Sequence, residues 1–275
     1  MRTAHTPIEN DFTRFTFEHE ESDYPVYRSG TGPGILIIHE LPGMLFETIV
    51  FARRLRDAGF TVYMPLFFGP PGRRFSGPAT AAYSLRLCVS REFYLFQREQ
   101  TSPIVEWLKA LCRLAHSECG GPGVGAIGMC LTGGFALPML VEPSMLAPVL
   151  SQPSMPACTF ARGADKLSCA RALDCSPEDL EVAKRRVADE NLTIPGFKFS
   201  HDRLAPDARF DRLREEFGEA FVPFVIDSGP GNAQDYPETS HAVFSAHYSH
   251  KPGTPTREAF DRLLAFYQER LVANS

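Results

Sequence analysis

The sequence predicts an α/β fold: a mostly parallel central sheet flanked by helices on both faces, in one domain spanning residues 1–275. Three observations predict it. Ile35-Leu36-Ile37-Ile38 is continuously apolar, as a central parallel strand buried on both faces requires. A helical run and a second apolar strand, Phe60 to Pro65, follow it, and this β-α-β order implies right-handed crossovers and a parallel sheet. The glycine-spaced run Val124-Gly125-Ala126-Ile127 then leads into Gly128-Met129-Cys130-Leu131-Thr132-Gly133-Gly134 and out through Phe135-Ala136-Leu137. That is the pattern of a strand, a sharp turn with a reactive side chain at its apex, and a helix.

Composition narrows the setting. Hydrophobic residues make up 44% and charged residues 22%, ordinary for a globular chain that buries a sizeable core. The net charge of -5 argues against a nucleic-acid partner. The first residues carry no apolar signal-peptide core, and no apolar run approaches the ~20 residues that cross a bilayer. The expectation is a cytoplasmic protein without a membrane partner. Seven scattered cysteines, an odd count with no Cys-x-x-Cys, suit reduced thiols better than a disulfide framework or a metal site. Cys158, Cys169 and Cys175 cluster without a histidine pattern and read as incidental.

Each element follows from its own pattern. Thr13 to Glu18 alternates polar and apolar, a half-buried strand, and Tyr24 to Tyr27 is a shorter one. The glycine run after it precedes a strand rather than a helix, so it is a turn and not a phosphate cradle. Glu47 to Ala58 reads as a helix closed by Gly59. Beyond a Gly/Pro-rich loop, helices are expected over 79–96 and 102–116, the second opened by Ser102-Pro103. Gly123 to Gly128 matches Gly-x-Gly-x-x-Gly but lies within a strand, which removes the dinucleotide reading. Leu146 to Ser151 is a strand. Ser176-Pro177-Glu178-Asp179 opens a helix with a serine cap, proline and acids in the first turn. A strand over 194–200, a helix over 207–217, a strand over 221–226 and a helix over 258–272 complete the chain. No linker or repeat interrupts it.

Functional residues in a parallel sheet gather at the carboxyl ends of the strands. There the sequence places Glu40, Cys130, Asp202, Asp227 and the loop holding His241. A thiol near its ordinary pKa of ~8.5 is mostly protonated at neutral pH and needs a base. His241 can take that proton, and Asp202 can orient the imidazole and stabilise its cation. The chain order nucleophile, acid, base is kept by Cys130, Asp202 and His241. Asp227 is the alternative acid; His247 and His250 are the alternative bases. His39 reads as structural, and His201 as pointing away from Asp202. The backbone N–H groups of Leu131 and Leu41 are the expected oxyanion donors, each worth about 10²–10³ in rate. Arg73, Arg74, Arg86 and Arg91 are candidates to bind an anionic substrate; Arg86 and Arg91 are the preferred pair.

The Gly-x-Cys-x-Thr-Gly-Gly turn, His39-Glu40-Leu41-Pro42-Gly43, Asp202-x-x-x-Pro206 and Ser240-His241-x-x-Phe244 together resemble the dienelactone hydrolase family of the α/β-hydrolase superfamily. The resemblance implies a Cys130–Asp202–His241 triad with no metal or organic cofactor, and a small ester or lactone as substrate. It also implies that Glu40 lies beside the nucleophile and helps govern when the thiol ionises. This chain departs from the family at three places. Thr132 stands where its best-known members have glycine. No arginine follows His241, although those members read the substrate carboxylate with one. And 72 positions separate Cys130 from Asp202, with a lid-like insertion expected around 157–193. Chemistry adds its own constraint on the substrate. Thiolate leaves a tetrahedral intermediate more easily than an ordinary alkoxide, so productive attack favours an enolate, phenolate or thiolate leaving group. The open alternatives are a broader carboxylesterase or thioesterase, a non-catalytic ligand-binding protein and a redox-sensing thiol protein. Oligomeric state is not legible.

Overall fold

The computed structural model describes residues 7–74, 93, 97–158 and 161–272. Eight strands form one sheet: β1 (Thr13–His19), β2 (Ser22–Ser29), β3 (Gly34–Ile38), β4 (Thr61–Pro65), β5 (Val124–Met129), β6 (Met145–Ser151), β7 (Ile194–Phe199) and β8 (Phe221–Ile226). Their order is β1-β2-β4-β3-β5-β6-β7-β8. β1 and β2 pair antiparallel with each other, β2 pairs antiparallel with β4, and the six strands from β4 onward run parallel.

Six helices are seen among the described residues: α1 (Phe46–Asp57), α2 (Ile104–Cys119), α3 (Ala164–Arg171), α4 (Pro177–Asp189), α5 (Asp207–Phe217) and α6 (Pro255–Leu271). They cover both faces. Alternate residues of a strand point to opposite sides, and β3 divides accordingly. Leu36 and Ile38 pack with α2, α4 and α5, whereas Ile35 and Ile37 pack with α1 and α6. A strand walled on both faces has no polar side to show, which is why its sequence reads as an unbroken apolar run. The helix expected over 79–96 lies, apart from Phe93, outside the described residues.

Local signals locate two of the helix starts. Ser176 accepts the Asp179 N–H at 3.1 Å, and Pro177 occupies the first helical position of α4. Pro255 does the same for α6, which therefore begins three residues ahead of the expected start. Leu180, Ala183 and Val187 of α4 enter the core, so this helix of the 157–193 segment is a crossover helix lying against the sheet. α3 contributes only Cys169 to the interior.

Two expectations are corrected. Cys158 and Cys169 form a disulfide, with Cα atoms 5.7 Å apart. The turn ahead of α3 brings two cysteines eleven positions apart back together, a closure that spacing alone does not reveal. The second correction concerns the segment after Cys130. It is a chain of tight turns with 3-10 geometry at Cys130–Thr132 and Pro138–Val141, not a regular helix. Most bonds there span three residues, from Gly133 N to Cys130 O and from Leu137 N to Gly134 O. Pro138 has no N–H to extend an α-helical ladder, and Gly133-Gly134 is a poor helix starter. No helix among the described residues is long and apolar enough to cross a membrane.

Candidate active site

β5 ends at Met129, and the chain turns sharply at Cys130, whose φ is +58°. A non-glycine residue held in the left-handed region is a strained placement. The surroundings over-determine it. A Cβ at Gly128 would lie 1.9 Å from the Thr132 carbonyl oxygen, and one at Gly133 would lie 2.5 Å from the Ser151 carbonyl oxygen. Only glycine fits at either position. Between them, the Thr132 hydroxyl accepts the Met129 N–H at 3.1 Å and donates to the Ile38 carbonyl at 2.9 Å. Thr132 is fully buried. It ties the end of β3 to the end of β5, which brings Glu40 and Leu41 alongside Cys130's turn.

Asp202 follows β7. Its Oδ1 accepts the Leu204 N–H at 3.0 Å and the Ala205 N–H at 3.4 Å, which leaves Oδ2 for the His241 Nδ1 at 2.6 Å. The loop beneath it is held by Lys198, a buried β7 side chain whose ammonium donates to the Ala205 carbonyl at 2.5 Å and to Asp207 at 2.6 Å. His241 comes from the loop between β8 and α6. Its Nε2 is buried without a well-formed hydrogen bond among the described residues, and the Cys130 side chain is close enough to act on its charge. Burial disfavours the His241 cation. The neighbouring Cys130 and the hydrogen bond to Asp202 outweigh burial and hold its pKa well above the ordinary value. Cys130 itself is half-buried, and the Ser154 hydroxyl approaches its sulfur at 3.9 Å.

The remaining candidates fall elsewhere. Asp227 is exposed, with Oδ1 capping the Gly229 N–H at 2.9 Å, and does not reach His241. His201 is exposed and bonded to the Ser200 hydroxyl. His39 is fully buried: Nε2 accepts the Phe67 N–H at 3.1 Å, and Nδ1 lies 3.0 Å from the Glu40 carbonyl. Burial lowers it to about 4, so it is a neutral link between the ends of β3 and β4. Arg73 and Arg74 lie on the exposed loop after β4, and Arg86 and Arg91 lie outside the described residues.

Glu40 is buried, and its carboxylate accepts a short hydrogen bond from Ser245, four residues after His241. Burial pushes its carboxyl up, against the opposing effects of Ser245 and of His241. Its partners are thus the His241 loop and its hydroxyl, rather than an arginine. Leu41 sits in the turn closed by the Gly43 N–H on the Glu40 carbonyl, and Leu131 directly follows Cys130. Beside Leu131 and Ser154 opens a cavity of about 260 Å³ with walls from Met155, Pro156, Ala170 and Leu204 and with Lys166 and Arg203 among its lining.

The supporting roles of three residues went unread in the sequence. His247 Nδ1 accepts the N–H groups of His241 and Ala242, at 3.4 and 3.2 Å, so a neutral His247 holds the backbone that carries His241. Burial and the neighbouring His241 both push its pKa down. Ser245 engages Glu40. Arg209, buried on α5, donates to the carbonyls of Pro153, Pro156 and Ala172 and pins the wall of the cavity. The one available signal was Arg209 itself, an arginine on the apolar stripe Phe210, Leu213 and Phe217. No group of residues able to hold a metal ion occurs among the described residues.

Comparison with known proteins agrees with this fold. Among solved structures, a dienelactone hydrolase from Anabaena variabilis is 13% identical, covers 95% of this chain and 98% of its own, and superposes with a TM-score of 0.58. A dienelactone hydrolase-like promiscuous phosphotriesterase from metagenomic libraries is 14% identical, with coverages of 95% and 99% and a TM-score of 0.58. A cold-adapted esterase from an Arctic intertidal metagenomic library is 14% identical, with coverages of 94% and 93% and a TM-score of 0.54. At such identities the likeness establishes the α/β-hydrolase fold. No curated protein matches the chain. The model of the dienelactone hydrolase family matches residues 24–269, and the chain belongs to that family of carboxylic ester hydrolases.

Proposed function

We propose that the protein hydrolyses a small activated ester or lactone through a thioester on Cys130, with His241 as acid–base and Asp202 as its orienting carboxylate. The observation that carries this reading is His241, bonded to Asp202 at 2.6 Å on one side and raised in pKa by the Cys130 sulfur on the other. In that arrangement His241 is placed to take the Cys130 thiol proton, and Asp202 to stabilise the imidazolium that forms. The sulfur attacks the carbonyl carbon, and the N–H groups of Leu131 and Leu41 receive the oxyanion. The carbon–oxygen bond to the leaving group breaks, and His241 delivers its proton to that oxygen. Water then attacks the thioester, His241 takes its proton, and the carbon–sulfur bond breaks to release the acid and restore the thiolate. The acyl group occupies the cavity beside Leu131, where Ala157, Cys158 and α3 line the wall and act as the lid-like part of the 157–193 segment. The first-step partition between thiolate and alkoxide restricts good substrates to those with stabilised leaving groups.

Steady-state kinetics on matched phenyl, enol and ethyl esters test the reading. Phenyl and enol esters turn over, the ethyl ester does not, and Cys130→Ala lowers kcat by at least ~10³-fold. Full activity in Cys130→Ala, or equal efficiency on the ethyl ester, contradicts it.

A further inference from the structure

A second cavity, of about 620 Å³, lies between α1 and α6 and shares no lining residue with the one beside Leu131. Its polar side is basic. Arg53 and Arg56 are both neutralised by Asp11, at 2.8 and 2.6 Å, and Arg56 also by Asp57. Arg257 pairs with Asp261 one turn further along α6, at 2.9 Å. Arg54 is the exception. It makes no ion pair among the described residues, and its Nε and Nη1 are buried without a hydrogen-bond partner. Its Nη2 bonds the neutral ring of His250 at 2.9 Å, and its guanidinium lies over the Tyr248 ring at 3.8 Å. The charges that act on Arg54 are those of Tyr248 and of a second cation, Arg257, with no carboxylate among them. A partly buried cation facing another cation is unfavourable unless an anion enters the space between them.

We propose that this cavity binds the phosphate group of a small phosphorylated molecule, with Arg54 and Arg257 as its gripping side chains. Two guanidinium forks match the several oxygens and double charge of a phosphate better than the single charge of a carboxylate. The cavity is larger than a bare ion requires. Its other wall, Phe46, Val50, Phe260 and Leu264, is apolar and suits the organic part of the ligand. Arg54 is stacked in advance on Tyr248, so little side-chain freedom is lost on binding. The proposal is independent of the chemistry at Cys130.

Isothermal titration of the full chain with phenyl phosphate, inorganic phosphate and benzoate tests it. Phenyl phosphate binds saturably, more tightly than inorganic phosphate, and at least tenfold more tightly than benzoate. Arg54→Gln weakens phenyl phosphate at least tenfold. Arg262→Gln, on an exposed residue of α6 paired with Glu258, leaves the affinity unchanged, as does Cys130→Ala. A thermal readout guards against misfolding. Without ligand, Arg54→Gln melts no lower than the wild type, since it removes an unneutralised charge, and phenyl phosphate raises its Tm less than that of the wild type. Absence of saturable binding, undiminished binding by Arg54→Gln, benzoate equal to phenyl phosphate, or loss of binding in Cys130→Ala would each overturn the proposal.

Discussion

Thr132 holds together the two strand ends that carry the candidate site. Its hydroxyl accepts from Met129 and donates to Ile38, so one side chain satisfies polar groups at the ends of both β5 and β3. Glycine at this place could make neither bond. Thr132→Val keeps the volume and removes the hydroxyl. It leaves the Met129 N–H and the Ile38 carbonyl unpaired, and is expected to cost about 1–3 kcal/mol in urea unfolding, with a fall in kcat. Thr132→Ser keeps both bonds and stays within about 1 kcal/mol of the wild type. Equal stability of the Val and wild-type proteins would contradict the role. Thr132 was named in the sequence only as a departure, because the carbonyl it reaches lies 94 positions away and nothing local announces the pairing.

At the scale of elements, what was legible and what was not divide on a physical line. β3 and β5 were plain because a strand covered on both faces has an unbroken apolar sequence. α4 was plain because serine, proline and acids mark its start. The segment after Cys130 was misread because the strand–turn–helix pattern is a generality, whereas Pro138 and Gly133-Gly134 are particular to this chain. The loop carrying His241 shows a further limit. His241 was legible from its order after Cys130 and Asp202. His247 stood as its competitor and proves to be its support, through two backbone bonds that no spacing rule describes. Those bonds need an unprotonated Nδ1. As pH falls below the ordinary histidine range near 6.5, through the lowered value of His247, protonation removes the acceptor and kcat declines. His247→Gln offers an acceptor that does not titrate, so its acid limb lies at lower pH than that of the wild type. His247→Ala has a reduced kcat at every pH, with KM little changed. Superimposable pH–kcat profiles for Gln and wild type would contradict this.

For the whole molecule, fold class and family could be read from order and patterning, while the setting of the charges required three dimensions. His39 is an example. Its neutral ring links β3 to β4, and burial lowers it to about 4 from an unfolded value near 6.5. Below pH 6.5 the unfolded chain takes up a proton that the folded chain refuses until about pH 4. Stability is therefore lost across that window as pH falls, by about 3 kcal/mol from this residue. Urea unfolding at pH 7 and pH 4 should show the wild type losing about that much more than His39→Gln; parallel losses would contradict the assignment. The same kind of environment sets the central claim, because the pKa of His241, against the effect of its burial, is raised by Cys130 and by Asp202. The most direct measurement is mass spectrometry of the protein mixed with a phenyl ester and quenched in acid within the first turnover. The account predicts one added acyl group, mapped to the peptide containing Cys130 and absent from Cys130→Ala. Hydrolysis with no acyl adduct at any time, or an adduct on another residue, would contradict it.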